Sequence, residues 1–230
     1  MSQLALPLKL QDHAVFESFL PTGNESAVAY LTGAVTAQDE PGCWLWGPRS
    51  TGKTHLLQAV CERTKDRAQF VPLQELAAAG PDILDGLHTR PFVCIDDVHQ
   101  VAGDEDWELG LFALCNSLAD AGGTLICATD TAPRESQFQL PDLKSRFSRL
   151  PIFQLQALDE DARVQALQLR ARHRGLELPA ETANFLLVRS KRDMSSLCWI
   201  LDMLDQAAMK AQRRLTVPFV KEVLDANPSG

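Results

Sequence analysis

The sequence lacks a long hydrophobic run, which argues against a membrane-spanning helix. Its 230 residues are 45% hydrophobic and 23% charged, and these values are ordinary for a globular protein. No apolar stretch approaches the roughly 20 residues that a bilayer span needs. The first residues, MSQLALPLKL, also lack the basic segment of a secretory signal. We therefore expect a cytoplasmic location and no membrane partner.

Paired cysteines and an excess of basic residues are missing as well. The six cysteines are scattered, with no CxxC pair and no histidine at metal-ligand spacing. This spacing predicts neither a zinc site nor a disulfide framework, and we interpret the cysteines as small buried hydrophobes. The formal net charge is −8, whereas binding DNA through its phosphates requires clustered Lys and Arg. On its own the chain is expected to bind DNA poorly.

Five short apolar, β-branched or aromatic runs recur between longer stretches of helical period, and they predict strands. The runs are residues 43–46, 69–73, 92–96, 124–129 and 152–155. Strands separated by helices indicate an α/β fold, here with a five-stranded parallel sheet covered by helices. Ligands of such folds bind at the carboxyl edge of the sheet.

The chain after Leu155 shows helical periodicity alone. Asp159 can cap a helix that stops at Gly175, Pro179 opens the next helix, and Pro218 suits the first turn of the last one. An apolar stripe at spacings of three and four is formed by Met194, Leu197, Leu201, Leu204 and Ala208. We therefore divide the chain into an N-terminal arm (1–15), an α/β nucleotide-binding domain (16–155) and a small all-helical lid domain (156–230).

The segment CWLWGPRSTGKTHLLQAV reads as a strand, a glycine-rich loop and a helix. The GxxxxGK[ST] pattern in this context indicates a phosphate-binding P-loop, because Gly47 and Gly52 let backbone N–H groups turn toward an anion at a helix N-terminus. Lys53 would neutralise the β and γ phosphates, and Thr54 would give its hydroxyl to Mg²⁺. The predicted binding residues of the loop are Gly47, Pro48, Arg49, Ser50, Thr51, Gly52, Lys53, Thr54 and His55. The alternative is a chance glycine turn, which the complete pattern disfavours.

Acidic residues at two further strand ends suit hydrolysis chemistry. Asp96 ends the run PFVCID and is positioned to hold Mg²⁺ through water, while Asp97 could orient or deprotonate an attacking water. Asp130 ends the run TLICATD and could reach the terminal phosphate. Acids at strand ends also cap turns, so the P-loop is what favours the functional interpretation.

Arg146, in the segment LKSRF, is the arginine that we single out. A guanidinium delivered to a phosphoryl group stabilises charge that develops in the transition state, on the same molecule's nucleotide or on a neighbour's. From the sequence pattern alone, a surface salt bridge is the favoured alternative.

Together, GPRSTGKTHL, FVCIDDVH, ICATD, LKSRF and the helical lid resemble the AAA+ domain of the DnaA family of bacterial replication initiators, from about Phe16 onward. Two features are similar to the Hda-type regulatory inactivators of that family. The chain stops at the end of the lid, where DnaA continues into a DNA-reading domain. The segment QLALPL (3–8) is similar to the peptide with which Hda binds the sliding clamp.

The resemblance implies a bound nucleoside diphosphate, with ADP expected, or ATP, together with Mg²⁺. The implied partners are DnaA and the sliding clamp of DNA polymerase III (its β subunit), with DNA contacted only through the clamp; a homodimer stays open. Arg146 would be an arginine finger that acts on DnaA-bound ATP, and the chain's own ATPase activity would be weak or absent. Phe16, Phe19 and Leu20 would lie beside the nucleobase. The clamp-binding residues would be Gln3, Leu4, Leu6, Pro7 and Leu8.

One position departs from the family pattern, and two other functions stay open. Where DnaA relatives carry a lid arginine, this chain has Ser195, and Arg192 is the residue that could replace it. The main alternative function is an independent AAA+ ATPase, such as a helicase loader or a truncated replication initiator. A small-molecule kinase is a weaker alternative, since it would need an acceptor-binding lid with converging basic residues.

Overall fold

The computed structural model describes residues 14–37, 41–189 and 193–227. The predicted clamp-binding residues, Gln3, Leu4, Leu6, Pro7 and Leu8, lie outside these ranges, and so does Arg192. Within the described ranges, no helix is long and apolar enough to cross a bilayer.

Five parallel strands form one sheet with the order β2-β3-β4-β1-β5. The strands are β1 (Gly42–Trp46), β2 (Ala68–Pro72), β3 (Phe92–Asp96), β4 (Thr124–Thr129) and β5 (Ile152–Gln154). The predicted α/β fold with a five-stranded parallel sheet is confirmed. Each strand boundary differs from its predicted position by at most about one residue, as expected from short apolar runs bounded by turn residues.

The described part of the chain contains nine α-helices. They are α1 (Glu25–Ala37), α2 (Lys53–Thr64), α3 (Leu73–Leu76), α4 (Glu105–Ala121), α5 (Pro141–Ser148), α6 (Glu160–His173), α7 (Ala180–Arg189), α8 (Met194–Ala211) and α9 (Val217–Ala226). Helices α1–α5 accompany the strands, and α6–α9 follow the last strand. Short 3₁₀ turns lie at Phe16–Ser18, Lys65–Arg67, Ala77–Ala79, Pro81–Leu84, Leu87–Thr89, Val98–Val101 and Pro133–Glu135.

The central strands β1, β3 and β4 are buried on both faces, and strand β1 contributes to both cores. Cys43 and Leu45 belong to the hydrophobic core beneath α1 and α2. Trp44 points to the opposite face, because side chains alternate along a strand, and it packs there against Phe147 with the ring centroids 4.8 Å apart. Phe138 completes this aromatic cluster on the side of α4 and α5.

The lid helices enclose a hydrophobic core of their own. Asp159 and Asp193 cap α6 and α8, with their carboxylates accepting from backbone N–H groups three residues onward at 2.8 and 2.9 Å. Four members of the predicted stripe, Leu197, Leu201, Leu204 and Ala208, are buried, and Met194 packs partly against the same core. The helix boundaries after Leu155 therefore follow the capping and periodicity signals of the sequence.

The cysteines are unpaired, and five of the six are buried while Cys115 is partly buried. Burial raises the pKa of the Cys115 thiol to about 12, although the charge of Arg146 opposes the shift. The interpretation of the cysteines as core residues is confirmed.

Candidate functional site

The strand order brings three predicted motifs to one edge of the sheet. Strands β3, β4 and β1 are neighbours, so the residues that follow them, Asp97, Asp130 and Gly47, meet at the carboxyl edge. A cavity of about 760 Å³ lies there, between the P-loop and the lid. It is lined by Arg49, Ser50, Gly52, Lys53, Thr54, His55, Gln58, Gln74, Asp97, His99, Gln100, Asp130, Arg170, Asp193, Met194, Ser195, Cys198, Trp199 and Asp202.

The P-loop backbone requires glycine at both predicted positions. Gly47 has φ +153°, and a Cβ there would come within 2.5 Å of the Leu155 carbonyl oxygen. Gly52 has φ +97°, and a Cβ there would come within 2.5 Å of the Phe19 ring. Thr51 stabilises the loop internally, since its hydroxyl donates to the carbonyl oxygen of Pro48 at 3.0 Å. The loop therefore presents its backbone N–H groups at the N-terminus of α2, as an anion cradle does.

Lys53 is buried at the floor of the cavity. Its ammonium donates to the carbonyl oxygens of Gly47 and Pro48, at 2.5 and 2.9 Å. Burial lowers the pKa of Lys53, while the carboxylates of Asp96, Asp97 and Asp130 oppose the shift. The three carboxylates therefore favour the charged form of Lys53, which would attract a phosphate.

Asp96 and Thr54 bring two oxygen-bearing side chains together beside the P-loop. Asp96 is only 3% exposed, it accepts a hydrogen bond from the Thr54 side chain, and it accepts another from the Asp97 N–H at 3.1 Å. Burial raises the pKa of Asp96 to about 6. Within the described ranges, no group of three or more His, Cys, Asp and Glu residues could hold a metal by itself. One carboxylate and one hydroxyl fit Mg²⁺, which completes its coordination with water and phosphate oxygens.

Asp97, Asp130 and His99 are grouped at the strand ends of the cavity. Asp97 is half-buried and adopts left-handed backbone geometry, with φ +52°. His99 Nδ1 lies 3.3 Å from the Thr129 hydroxyl and 3.7 Å from an Asp130 carboxylate oxygen. His99 was not predicted as a site residue, although its position three residues after Asp96 was a usable signal. The group provides acceptors that can orient a water molecule.

His55 connects the P-loop helix to the lid and to the N-terminal segment. Its Nε2 lies 2.8 Å from the Val15 carbonyl oxygen, so this nitrogen carries the proton, and Nδ1 accepts from a guanidinium nitrogen of Arg170. Burial, together with the charge of Arg170, lowers the pKa of His55 to about 3. The side chain is therefore a neutral bridge between α2 and α6.

The lid wall of the cavity is one face of α8 together with Arg170 of α6. Ser195 Oγ lies 3.0 Å from Ser50 Oγ of the P-loop. One turn further along α8, Cys198 accepts a hydrogen bond from Arg170 at 2.9 Å, and Trp199 lines the same side of the cavity. Arg170 was not predicted as a site residue. No local pattern could have identified it, since it lies 115 residues from its partner His55.

Eight predicted site residues within the described ranges are not among those that line the cavity: Gly47, Pro48, Thr51, Asp96, Phe16, Phe19, Leu20 and Arg146. Phe16 is buried in the core beneath α1 and α2, with Leu20 half-buried nearby in sequence. Phe19 packs edge-on against His55, with ring centroids 5.4 Å apart, and behind Gly52. Arg146 lies in the last turn of α5, and it does not line the cavity.

Two family models match parts of the chain. Residues 159–224 match the model described as the Hda lid domain. Residues 43–119, which include the P-loop and Asp96, match a model described as RNA helicase.

The fold is similar to those of solved replication initiation and branch migration proteins. Domain III of the Thermotoga maritima replication initiation protein DnaA is 22% identical, with a TM-score of 0.77, and the match covers 95% of this chain and 98% of that one. AMPPCP-bound DnaA from Aquifex aeolicus is 21% identical, with a TM-score of 0.68, over 85% and 66% of the two chains. The Thermotoga maritima RuvB Holliday junction branch migration motor is 17% identical, with a TM-score of 0.60, over 89% and 69%.

The fold and the P-loop thus define an α/β P-loop protein whose fold is similar to those of DnaA and RuvB. Residues 159–224 are similar to the Hda lid domain, and the fold as a whole is similar to that of DnaA domain III. This confirms the resemblance that the motifs of the sequence indicated.

Proposed function

We propose that this chain is a nucleotide-binding regulator of DNA replication initiation. Recruited by the DNA-loaded sliding clamp, it promotes hydrolysis of the ATP bound to DnaA, which inactivates DnaA and prevents re-initiation. The observation that carries the proposal is the position of Arg146, because this arginine belongs to an anchored helix and lies outside its own molecule's cavity. The match to the Hda lid supports the same conclusion.

The nucleotide of this chain is ADP or ATP, bound with Mg²⁺ in the cavity. Backbone N–H groups of the P-loop would hold its phosphates, Lys53 would neutralise them, and Thr54 and Asp96 would hold Mg²⁺, which screens the phosphate charge. The likeness to a DnaA structure that contains AMPPCP supports nucleotide binding. This nucleotide sets the conformation of the regulator and is hydrolysed weakly or not at all.

Arg146 belongs to a well-packed helix, and its guanidinium has no partner among the described residues. Leu143 and Phe147, on either side of it in α5, are buried at 0% and 1% exposure. Among the residues described, no hydrogen bond or ion pair engages its guanidinium, which lies near Cys115. An arginine supplied in trans to a phosphoryl group accelerates hydrolysis by a factor of about 10³–10⁵. Docking against DnaA would bring Arg146 to the terminal phosphate of DnaA's ATP.

The segment QLALPL supports recruitment by the clamp. A short extended peptide of this kind binds when its side chains enter pockets on the partner, and Pro7 favours the extended conformation of Leu6. The net charge of −8 fits contact with DNA through the clamp instead of through the chain's own surface.

The second candidate function is an independent AAA+ ATPase. It is favoured by Asp97 and Asp130, which both line the cavity beside Lys53 and provide the acceptors that in-cis hydrolysis requires.

The test measures ATP hydrolysis by purified DnaA in the presence of DNA-loaded clamp. Five proteins are compared: the unaltered chain, Arg146→Ala, the matched control Arg149→Ala from the end of the same helix, a variant lacking residues 1–8, and Lys9→Ala. Arg149 is exposed, so its loss controls for the removal of one positive charge near α5.

We expect stimulation by the unaltered chain and by both control variants, a loss of about 10³-fold or more in the Arg146→Ala variant, and loss of clamp-dependent stimulation after deletion of residues 1–8. Stimulation that is indifferent to Arg146 and to the deletion would contradict the proposal. Steady turnover by the chain without DnaA would instead favour the independent ATPase.

A further inference from the structure

Arg170 is the cation that the lid contributes to the cavity in the described part of the chain. It lies on α6, and its guanidinium donates to Cys198 Sγ of α8 at 2.9 Å and to His55 Nδ1 of α2. The side chain thus links two lid helices to the helix that carries the P-loop. It lines the same cavity as Lys53.

Neutral groups are the partners of this positive charge. Because His55 Nε2 donates to the Val15 carbonyl oxygen, Nδ1 is an unprotonated acceptor, and Cys198 is a thiol whose pKa is raised by burial. The acid in the same wall, Asp202, is paired with Arg174. No carboxylate pairs with Arg170 among residues 14–37, 41–189 and 193–227. A half-buried guanidinium with five N–H donors is poorly satisfied by two neutral acceptors and favours an anion.

The position of Arg170 along the cavity indicates which part of a nucleotide it would meet. In a P-loop the lysine reaches the β and γ phosphates, while the backbone also cradles the α phosphate. Ser195 approaches the loop at Ser50, and Cys198 lies three residues further along α8, a rise of about 4.5 Å. Arg170 contacts His55, the residue after Thr54 at the start of α2, where backbone N–H groups of a P-loop would cradle the α phosphate.

We infer that Arg170 is the phosphate ligand of the lid, and that it contacts the phosphate next to the nucleoside of a bound nucleoside di- or triphosphate. The inference rests on the proposed nucleotide site. In this inference, Arg170 of α6 provides the positive charge that is missing from α8, where Ser195 stands in place of an arginine. The phosphate of a bound nucleotide would accept hydrogen bonds from the Arg170 guanidinium, and this contact would hold the lid against α2.

The test measures the binding of AMP, ADP and adenosine by competition against a fluorescent ADP analogue. The variants are Arg170→Met, which removes the charge but keeps an apolar stem, and Arg170→Lys, which keeps the charge. The matched control is Arg172→Met, because Arg172 is exposed on the same helix. Thermal unfolding of each variant checks that the fold is retained.

We expect Arg170→Met to weaken AMP and ADP binding by a similar factor of about 10–100, the value of one lost charge-assisted contact, and to leave adenosine binding unchanged. Arg170→Lys should restore part of the loss. An equal loss for adenosine would mean that Arg170 only holds the lid closed and would overturn the inference, as would unchanged ADP binding. Absence of nucleotide binding by the unaltered chain would instead contradict the nucleotide site itself.

Discussion

Lys53 is held by two carbonyl oxygens of its own loop, and its burial is balanced by the three carboxylates nearby. The side chain is therefore oriented before any phosphate arrives, so little conformational entropy is lost on binding. At the scale of single residues, the glycine turn is suited to anion binding because Lys53 is pre-organised. The bridge formed by His55 adds to this by fixing the start of α2.

The Lys53→Met substitution should weaken ADP binding by about 10- to 150-fold. It removes a charge-assisted contact worth about 1.5–3 kcal/mol and leaves the volume of the side chain nearly unchanged. Isothermal titration calorimetry of the two proteins gives the ratio of dissociation constants. Lys221→Met, at an exposed position of α9, is the control. Equal affinities for the Lys53 variant and the unaltered chain would show that the phosphates bind elsewhere.

Neutral His55 should make the protein sensitive to acid. The pKa of His55 is lowered from 6.5 to about 3 in the folded chain, so the unfolded chain binds the proton first as the pH falls. The stability contributed by neutral His55 is complete above about pH 6.5 and is lost as the pH falls toward 3. The loss is at most about 5 kcal/mol.

Urea unfolding between about pH 7 and pH 4 tests this prediction by comparing the unaltered chain with His55→Gln. The free energy of unfolding should fall less steeply in the variant, which has no titrating group at this position. His88→Gln, at an exposed position, should follow the unaltered chain. Parallel curves for the unaltered chain and His55→Gln would refute the shift.

Helix α5 shows at the scale of an element how a short segment is made rigid. Its eight residues would be marginal as an isolated helix. Phe147 packs against Trp44 of the sheet and against Phe138 of the preceding loop. The buried carboxylate of Glu108 accepts from the N–H groups of Gln139 and Leu140 at 2.6–2.9 Å. The position of Arg146 therefore depends on the packing of α5 and on Glu108, a buried acid of helix α4.

The Glu108→Gln substitution should loosen this element. The amide would turn a donor toward backbone N–H groups that now donate to a carboxylate, and each charge-assisted bond lost costs about 1.5–3 kcal/mol. We expect a lower free energy of unfolding and a reduced stimulation of DnaA, both relative to Glu105→Gln, an exposed position in the first turn of α4. Unchanged values for both quantities would show that Arg146 is oriented without Glu108.

At the scale of the whole molecule, the net charge predicts weak binding to nucleic acid. With a formal net charge of −8, the chain alone should bind a 30-base-pair duplex with a dissociation constant no tighter than about 10⁻⁴ M at physiological salt. Fluorescence anisotropy of labelled duplex measures this binding, and the same duplex loaded with clamp is the comparison. Submicromolar binding to bare DNA would favour the ATPase that contacts DNA directly.

Much of the architecture and the floor of the site was predictable from local signals. The signals that predict the elements each involve residues close together in the sequence, so the elements can be predicted along the chain. Examples are the strand run PFVCID, the helix cap Asp159 and the apolar stripe on α8. The GPRSTGKT segment similarly contains in eight consecutive residues the glycines, the lysine and the threonine that define an anion cradle.

The remaining features depend on contacts between residues that are distant in the chain. The neighbouring order of β3, β4 and β1 placed Asp97 and Asp130 beside Lys53. The packing of the lid onto α2 brought Arg170 to His55. The sequence by itself therefore determined the elements, the phosphate loop and the family likeness. Only the tertiary structure decided which lid cation enters the cavity and that Arg146 lies outside it, because those positions follow from how the elements pack.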